Sequence, residues 1–378
     1  MKKNNISYEK VINPWYGIKL DKKTRDSKNS IINNYRKILN YPLPPVISNN
    51  KHSEIIVIGF ALFSKLPEKL KNKCHIVIKP RDLFNYKAQI IKKFKKITLD
   101  LKIYKKIYNS ITNKKSFEHH YIKNIIKKVY PKILIITSTI DPIQRLWAHH
   151  AKENGVKVIC VQHGLFSSKN SSLALERNIV DYYFSINKDQ SKLIQKIIPR
   201  KKHRLLYEES YFYYKLTKKT LNICLIGNDY ERYGNEGIKL KNKTLKIYKS
   251  LIDLLSLEKK VKFNIFYKKH PSEKIYSRDI NEVPFIDSKV FKSIDIFFGI
   301  SSTLLFDLAL KKKCAIQLSS RTLNFDKYER SSLCKTISIE TIKKRGLVSL
   351  FPIDGIKIPC LKPKNLYVLL NNIIKNKS

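Results

Sequence analysis

The chain has 378 residues, of which 43% are hydrophobic, so it is long enough for two globular domains that each bury a core. Its formal net charge of +46 at pH 7 predicts attraction to anionic partners such as nucleic acids, nucleotide substrates or an acidic membrane surface. The sequence has no zinc-ligand spacing, no basic region with heptads and no RNP-like aromatic strand, which disfavours the common nucleic-acid-binding folds.

Cysteine spacing and hydropathy predict the cellular compartment of the protein. The six cysteines are scattered without a Cys-x-x-Cys pair, which is typical of free thiols in a reducing compartment and disfavours a disulfide framework or a zinc site. No apolar signal region follows the N-terminal residues, and the chain contains no run of about 18 apolar residues. We therefore expect a cytoplasmic protein that is at most peripheral to the inner face of the cytoplasmic membrane.

The N-terminal part of the chain is strongly basic. Residues 1–50 are rich in lysine and asparagine, and we interpret them as an N-terminal arm. Short β-branched runs follow at 54–60 and 74–78, and Lys-rich helical patterns lie within 86–130. Amphipathic helices with lysine faces are usually solvated surface helices, and the alternative is a membrane-surface patch.

Strands and helices alternate regularly in the region 51–205. A strand over 133–138, a helix that opens with Asp141 and the following proline, and a strand over 156–161 form a β-α-β unit. Such units have right-handed, short connections and favour a parallel sheet. We therefore predict that 51–205 is a Rossmann-like domain.

The alternation is interrupted at 206–220, a tyrosine-rich stretch that we interpret as a linker. It resumes over 221–362, which predicts a second Rossmann-like domain. The last residues, 363–378, are expected to form a C-terminal helix and tail that packs back on the first domain. The predicted fold class is α/β, with two Rossmann-like domains whose parallel sheets face each other across a cleft.

Polar residues follow several predicted strands, and the first such group is Gln162-His163-Gly164. An imidazole can accept a proton near neutral pH, and open α/β sheets bind ligands at the carboxyl ends of their strands. A histidine bonded to the backbone is the simpler interpretation of His163 taken alone. Similar polar groups at two further strand ends favour a catalytic role.

The second group is Lys268-Lys269-His270-Pro271. The proline fixes the chain after the strand and holds His270 at a turn. The neighbouring lysines add positive charge, which suits a phosphate. A strand end followed by a turn proline, without any function, is the alternative.

The third group is Gly299-Ile300-Ser301-Ser302-Thr303, directly before a predicted helix. Hydroxyl groups cap such a helix, while the N–H groups of its first turn and its dipole attract an anion. Helix capping alone would also account for these residues. Gly227, after a strand at 222–226, is a weaker indication of a close backbone approach.

The three groups together resemble the motifs of bacterial surface-polysaccharide transferases built from two Rossmann domains, the GT-B type. CDP-glycerol and CDP-ribitol phosphotransferases share Gln-His-Gly, His-Pro and Ser-Ser with this chain. Bacterial sialyltransferases and polysialyltransferases share His-Pro and Ser-Ser, but their usual base is an acidic pair before a glycine, and that pair is missing before Gly164. The resemblance covers residues 130–320 and rests on short motifs.

The resemblance implies a role for each candidate residue. His163 would deprotonate the acceptor hydroxyl or help to activate the donor, with Gln162 and Gly164 as acceptor or supporting residues. His270 would bind the phosphate of a cytidine nucleotide. The remaining nucleotide-binding candidates are Lys268, Pro271, Ser301, Ser302, Thr303 and Gly227. Region 51–205 would then be the acceptor domain and region 221–362 the nucleotide-binding domain.

The function expected on this basis is glycosyl transfer in the assembly of a capsule or a lipopolysaccharide O-antigen. The donor would be a cytidine-activated sugar such as CMP-sialic acid, and the acceptor a lipid-linked or oligosaccharide glycan. No Asp-x-Asp stands where a metal-bound diphosphate would need one, so we expect no metal and no cofactor besides the nucleotide-activated substrate.

Two alternatives remain open. One is polyol-phosphate transfer from CDP-glycerol or CDP-ribitol. The other belongs to a different class, a basic RNA-binding protein that uses the Lys-rich helices of 86–130, although no specific nucleic acid is expected as a partner.

Overall fold

The structure is a computed structural model in which part of the chain can be described. The described residues are 52–64, 66–78, 120–162, 178–228, 230, 234–270, 273, 283–286, 288–300, 302, 304–323, 334–352, 354–364 and 366–375, with the short pieces 29, 32–33, 47–49, 97–99 and 109. Most of the expected arm 1–50 and most of the Lys-rich region before residue 120 lie outside them.

The described strands belong to three sheets. They are β1 (Ile47–Asn49), β2 (Ile55–Ile58), β3 (Cys74–Val77), β4 (Ile97–Leu99), β5 (Ile133–Ile136), β6 (Lys157–Val161), β7 (Tyr182–Ser185), β8 (His203–Leu205), β9 (Tyr207–Tyr214), β10 (Thr220–Ile226), β11 (Lys262–Lys268), β12 (Ile296–Gly299), β13 (Cys314–Ser319), β14 (Lys335–Ser338) and β15 (Ile356–Pro363).

The described α-helices range from a single turn to 23 residues. They are α1 (Phe60–Ser64), α2 (Glu68–Lys71), α3 (His120–Val129), α4 (Pro142–Glu153), α5 (Lys188–Gln195), α6 (Gly234–Ser256), α7 (Leu304–Leu310), α8 (Ile339–Arg345) and α9 (Leu366–Lys375). Within the described residues, none of these helices has the length and apolar character needed to cross a membrane.

The chain divides into two compact units. Unit 1 comprises Met1–Leu206 and Lys364–Ser378, and unit 2 comprises Tyr207–Pro363. The C-terminal helix α9 therefore belongs to unit 1, while the intervening segment forms a unit of its own.

Unit 1 contains an eight-stranded sheet in the order β1-β4-β3-β2-β5-β6-β7-β8. Neighbouring strands are parallel except for the edge pair β1 and β4. The central strands are continuous apolar runs, such as Ile-Leu-Ile-Ile in β5, because helices cover both faces of a parallel sheet. The parallel sheet predicted from the β-α-β pattern is confirmed.

Helix α4 begins and ends where the sequence signals predict. The Asp141 side chain accepts hydrogen bonds from the N–H groups of Ile143 and Gln144, and Pro142 occupies the first helical position. Asn154 is the C-cap, and Gly155 follows with a φ of 71°, a conformation that favours glycine. The helix therefore leads directly from β5 to β6.

Helix α3 is the described part of the Lys-rich region. Its apolar side chains Ile122, Ile125, Ile126 and Val129 are buried in the core of unit 1. The side chains of Lys127 and Lys128 are exposed. The apolar face of α3 therefore packs against protein, as in a solvated surface helix.

Unit 2 contains a five-stranded sheet in the order β11-β10-β12-β13-β14, with all neighbouring pairs parallel. A separate two-stranded antiparallel ribbon pairs β9 with β15 from one end to the other. Both predicted domains thus contain a parallel sheet, and the α/β fold class is confirmed.

The stretch 206–220, interpreted above as a linker, contains strand β9 instead of irregular chain. Phe212 and Tyr214 pack against the core of unit 2, whereas Tyr211 and Tyr213 are exposed. This alternation has the two-residue period of a strand, and aromatic residues favour strands. The tyrosine-rich composition, with aromatic side chains on both faces of the strand, concealed that period.

Candidate functional site

The strand order of unit 2 reverses beside β10. Strand β11 lies on one side of β10 and β12 on the other, so the connections after β10 and β12 leave the sheet in opposite directions. Open α/β sheets bind ligands in the crevice outside the carboxyl ends of the strands at such a point. Gly227 directly follows β10, and Ser302 comes three residues after β12.

The end of β11 lies against the end of β10. The N–H of Gly227 donates to the carbonyl of Lys268 at 2.8 Å. A Cβ atom placed on Gly227 would lie 3.1 Å from the backbone nitrogen of His270. The structure therefore brings together Gly227, Lys268 and His270, three of the predicted nucleotide-binding residues.

The Lys268 side chain bonds within the end of β11. Its Nζ atom donates to the carbonyl of Lys269 at 2.9 Å. The side chain therefore bonds the backbone of the adjacent residue, which precedes His270.

Ser302 lies on the other side of β10. Its hydroxyl accepts from the N–H of Leu304 at 3.3 Å, and its carbonyl accepts from the N–H of Leu305. These are the bonds of a helix cap at the start of α7. Because β11 and β12 are two strand spacings apart, the ends of these strands are about 10 Å from each other.

Five predicted site residues lie outside the described part of the chain. In unit 1 these are His163 and Gly164, and in unit 2 they are Pro271, Ser301 and Thr303. Their roles stay predictions.

Glu273, which is 4% exposed, was not among the predicted site residues. The backbone N–H of His270 donates to Glu273 Oε2 at 3.2 Å, and the N–H of Glu273 donates to the His270 carbonyl at 3.0 Å. A glutamate three residues after the residue whose N–H it accepts is the spacing of a capping box. That spacing could have identified Glu273 from the sequence.

Gln317 was also missed, and it supports the chain before Ser302. It is buried in β13, where its Nε2 atom donates to the carbonyl of Ile300 at 2.6 Å. Its Oε1 atom accepts from the hydroxyl of Thr336 at 3.1 Å. A single amide within the apolar run of β13 is a signal that the sequence does contain.

The tyrosine and cysteine side chains beneath the Gly227 turn are uncharged at physiological pH. Burial raises the pKa of the Tyr248 hydroxyl well above its usual value, and this hydroxyl donates to the Ile226 carbonyl at 2.7 Å. Burial also raises the pKa of the Cys224 thiol to about 12. The charges at this strand end therefore come from its lysines, with Glu273 beneath them.

In unit 1, the described member of the first motif is Gln162, which is buried at the end of β6. Its Oε1 atom accepts from the N–H of Ile186 at 3.1 Å, and its Nε2 atom donates to Gln190 Oε1 at 2.7 Å. Gln162 thus joins the ends of β6 and β7 to helix α5. This geometry is that of a supporting residue. It holds the end of β6 directly before His163 in the sequence.

The reversal of strand order in unit 1 lies one strand away from Gln162, between β2 and β5. Gly59 follows β2 with a φ of 99°, and Thr137 follows β5. The Gln144 side chain of α4 accepts from the Thr137 N–H at 2.7 Å and from the Ser138 N–H at 3.2 Å. The sequence analysis did not select these residues, although a glycine and a Thr-Ser-Thr run at strand ends are visible signals.

Replacing Gln162 by leucine is expected to destabilise unit 1 by about 2–4 kcal/mol, because the buried Ile186 N–H and Gln190 side chain would each lose a partner. Urea denaturation followed by circular dichroism measures this. Gln195→Leu is the matched control, since the half-buried Gln195 makes one bond, to Ser191. Equal midpoints for the two variants would contradict the supporting role.

Among the described residues, no group of three or more histidine, cysteine, aspartate or glutamate side chains is arranged to hold a metal ion.

No protein-family model matches the chain, and no match is found among the curated proteins either. Solved structures are similar in fold. A UDP-GlcNAc 2-epimerase from Neisseria meningitidis, bound to UDP-GlcNAc, is 10% identical and overlaps 85% of this chain and 99% of its own with a TM-score of 0.51.

Two further structures are similar at lower TM-scores. The lipopolysaccharide outer core galactosyltransferase WaaB is 12% identical over 77% of this chain and 87% of its own, with a TM-score of 0.46. The wall teichoic acid polymerase TagF is 14% identical over 88% of this chain and 87% of its own, with a TM-score of 0.40. At these identities the comparison concerns the fold, which the epimerase match shows to be of the GT-B type.

Proposed function

We propose that the protein is a glycosyltransferase that takes a sugar from a nucleotide, and that unit 2 binds the nucleotide at the carboxyl ends of β10, β11 and β12. The observation that carries this proposal is the junction of Gly227, Lys268 and His270 at the ends of β10 and β11, next to the crevice between β10 and β12 where the strand order reverses. Nucleotide-activated donors are anionic, and lysines with a close backbone approach suit a phosphate.

We assign the contacts with the donor phosphate from the motifs. Lys268, His270 and Pro271 contact a donor phosphate on one side of Gly227. Ser301, Ser302 and Thr303 contact it on the other side, through N–H groups and hydroxyls. This arrangement neutralises the phosphate with protein groups, and we propose no metal in the reaction.

His163 is the proposed general base. It removes the proton from the acceptor hydroxyl, whose oxygen forms a bond to the anomeric carbon of the donor sugar. The bond from that carbon to the phosphate oxygen breaks, and the leaving nucleotide keeps the electron pair. Gln162 supports this role, because its bonds to Ile186 and Gln190 hold the end of β6 in place.

We propose a cytidine nucleotide as the leaving group, a donor of the CMP-sialic acid kind, and a glycan of a capsule or O-antigen as the acceptor. His-Pro and Ser-Ser are shared with sialyltransferases, which supports this choice. We place the reaction at the inner face of the cytoplasmic membrane, where anionic lipids would attract a chain of charge +46.

A second candidate is polyol-phosphate transfer from CDP-glycerol or CDP-ribitol. The Gln162-His163-Gly164 motif favours it, because the phosphotransferases carry Gln-His-Gly where sialyltransferases usually carry an acidic pair. Both candidates use a cytidine nucleotide, so the same binding experiment tests what they share.

Thermal unfolding in the presence of CMP, CDP, UDP and GDP tests the proposal. A nucleotide at 100 times its dissociation constant stabilises the folded state by about 2.7 kcal/mol, which shifts the midpoint by roughly 3–4 °C when a chain of 378 residues unfolds in one step. We expect this shift with CMP or CDP. A preference for UDP or GDP would overturn the cytidine assignment, and no shift with any of the four would overturn nucleotide binding.

The His270→Ala variant should lose most of the shift. His149→Ala is its control, because His149 is a partly exposed histidine of α4 in unit 1 that pairs with Glu153. An undiminished shift in His270→Ala would show that His270 does not contribute to binding.

A further inference from the structure

Beneath the His270 turn lies a buried cluster of polar groups that the motifs do not include. Glu273 Oε1 accepts from the Tyr267 hydroxyl at 3.0 Å and lies 3.4 Å from the Lys241 amine of α6. Its second oxygen accepts from the backbone N–H of His270. One carboxylate thus connects α6, β11 and the turn after β11.

Two hydrogen bonds join His270 and Glu273. His270 donates its N–H to the Glu273 side chain, and Glu273 donates its own N–H to the His270 carbonyl. Both backbone bonding groups of His270 are therefore engaged by one residue. Because the backbone of His270 is held in this way, the position from which its imidazole extends is fixed.

Gly227 makes room for the cluster. A Cβ atom at this position would lie 2.5 Å from Glu273 Oε2 and 2.6 Å from the Tyr267 hydroxyl, both much shorter than ordinary contacts. The end of β10 therefore packs directly on the groups that hold the His270 turn.

Stability alone is a poor reason for such a cluster. Lys241 and Glu273 are both almost completely buried, and removing two charges from water costs much of what their attraction returns. Well-packed apolar residues often serve stability equally well. A carboxylate offers something that they do not, namely several acceptor sites with a defined geometry.

We infer that Glu273 is a positioning residue for the proposed phosphate site: paired with Lys241 and Tyr267, it holds the His270 turn in the conformation that binds the donor nucleotide. This inference rests on the proposed function. It adds a residue that acts through His270 without touching the substrate.

Two double variants test it. Lys241→Met with Glu273→Gln removes the ion pair but keeps a side-chain oxygen that can accept from the His270 N–H. Lys241→Met with Glu273→Met removes the ion pair and that acceptor together. The two variants therefore differ in the side-chain amide at position 273, which can also bond the Tyr267 hydroxyl, while both avoid an unpaired buried charge.

We expect the glutamine variant to bind CMP within about threefold of the wild type, and the methionine variant to bind it about tenfold more weakly, the effect of one hydrogen bond. Isothermal titration measures the affinities, well below both thermal midpoints. In a transfer assay the loss should appear in KM for the donor more than in kcat. Equal affinities in the two variants would overturn the inference.

Hydrogen exchange of the His270 amide tests the same inference without a nucleotide. Exchange should be slow in the wild type and the glutamine variant, and at least about tenfold faster in the methionine variant, because that amide loses its acceptor. Unchanged exchange would overturn the positioning role. If exchange responds as expected while the wild type binds none of the four nucleotides, the proposed function fails and the structural part of the inference stands.

Discussion

Replacing Gly227 by alanine is expected to abolish nucleotide binding and to destabilise unit 2 by about 3–5 kcal/mol, the cost of disrupting a buried ion pair. The added methyl group would lie 2.5 Å from Glu273 Oε2 and 2.6 Å from the Tyr267 hydroxyl. Neither atom is a loose end of a flexible side chain, because the carboxylate also bonds the His270 N–H and pairs with Lys241. The methyl group can therefore be accommodated only if the cluster moves.

Chemical denaturation and titration with CMP measure the two effects separately. Gly346→Ala in the same unit is the control, since Gly346 ends α8 with a φ of 72° and a ψ of 155°, a conformation that only glycine adopts readily and that costs alanine about 1–3 kcal/mol. That variant should be less stable yet bind nucleotide normally. Normal CMP affinity in Gly227→Ala would show that the end of β10 is not part of the nucleotide site.

Replacing His163 by alanine is expected to lower turnover by roughly 10²–10⁴-fold, the usual contribution of a general base, while CMP affinity stays within about twofold. Binding should survive because the nucleotide contacts are proposed to come from unit 2. Release of the free nucleotide from a CMP- or CDP-activated donor, in the presence of a glycan acceptor, measures turnover.

The control for His163 is again His149→Ala, which changes a histidine of unit 1 that the proposed reaction does not use. Its turnover should equal that of the wild type. If His163→Ala retains wild-type turnover, another group is the base. A loss of CMP affinity with unchanged kcat would instead place His163 in the nucleotide site.

The two units differ in how they use buried polar groups at strand ends. In unit 1 the amide of Gln162 is neutral and is bonded on both sides within the protein. In unit 2 the corresponding support comes from the carboxylate of Glu273 and the amine of Lys241. The Gln162 amide adds no charge at the end of β6, whereas the charged cluster lies where the proposed ligand is itself charged.

Much of the fold could be predicted because its signals are local. Strands β5 and β6 are apolar runs of the length of a strand, and α4 carries an aspartate cap, a first-turn proline and a terminal glycine. Each of these features acts within a few residues of its own position. Strand β9 was not predicted, because aromatic side chains lie on both of its faces. Hydropathy alone therefore does not distinguish its buried face from its exposed face.

The candidate site could be predicted only in part. The His270 and Gly227 stretches were selected as polar or glycine-containing strand ends, and the structure places them side by side. Which strand ends adjoin depends on strand order, which is set by long-range pairing. The reversal beside β2, where Gly59 and Thr137 lie, was therefore missed.

The sequence by itself determined many of the elements, the parallel character of the sheets and the residue types that suit a phosphate, because periodicity, caps and side-chain chemistry are properties of short segments. Only the tertiary structure decided that Lys241 meets Glu273, since α6 and the turn after β11 come together through the packing of a helix on a sheet. It also decided that position 227 requires glycine, because the Glu273 carboxylate and the Tyr267 hydroxyl lie where a Cβ atom would be. Close contacts between distant segments are set by packing, and no local pattern encodes them.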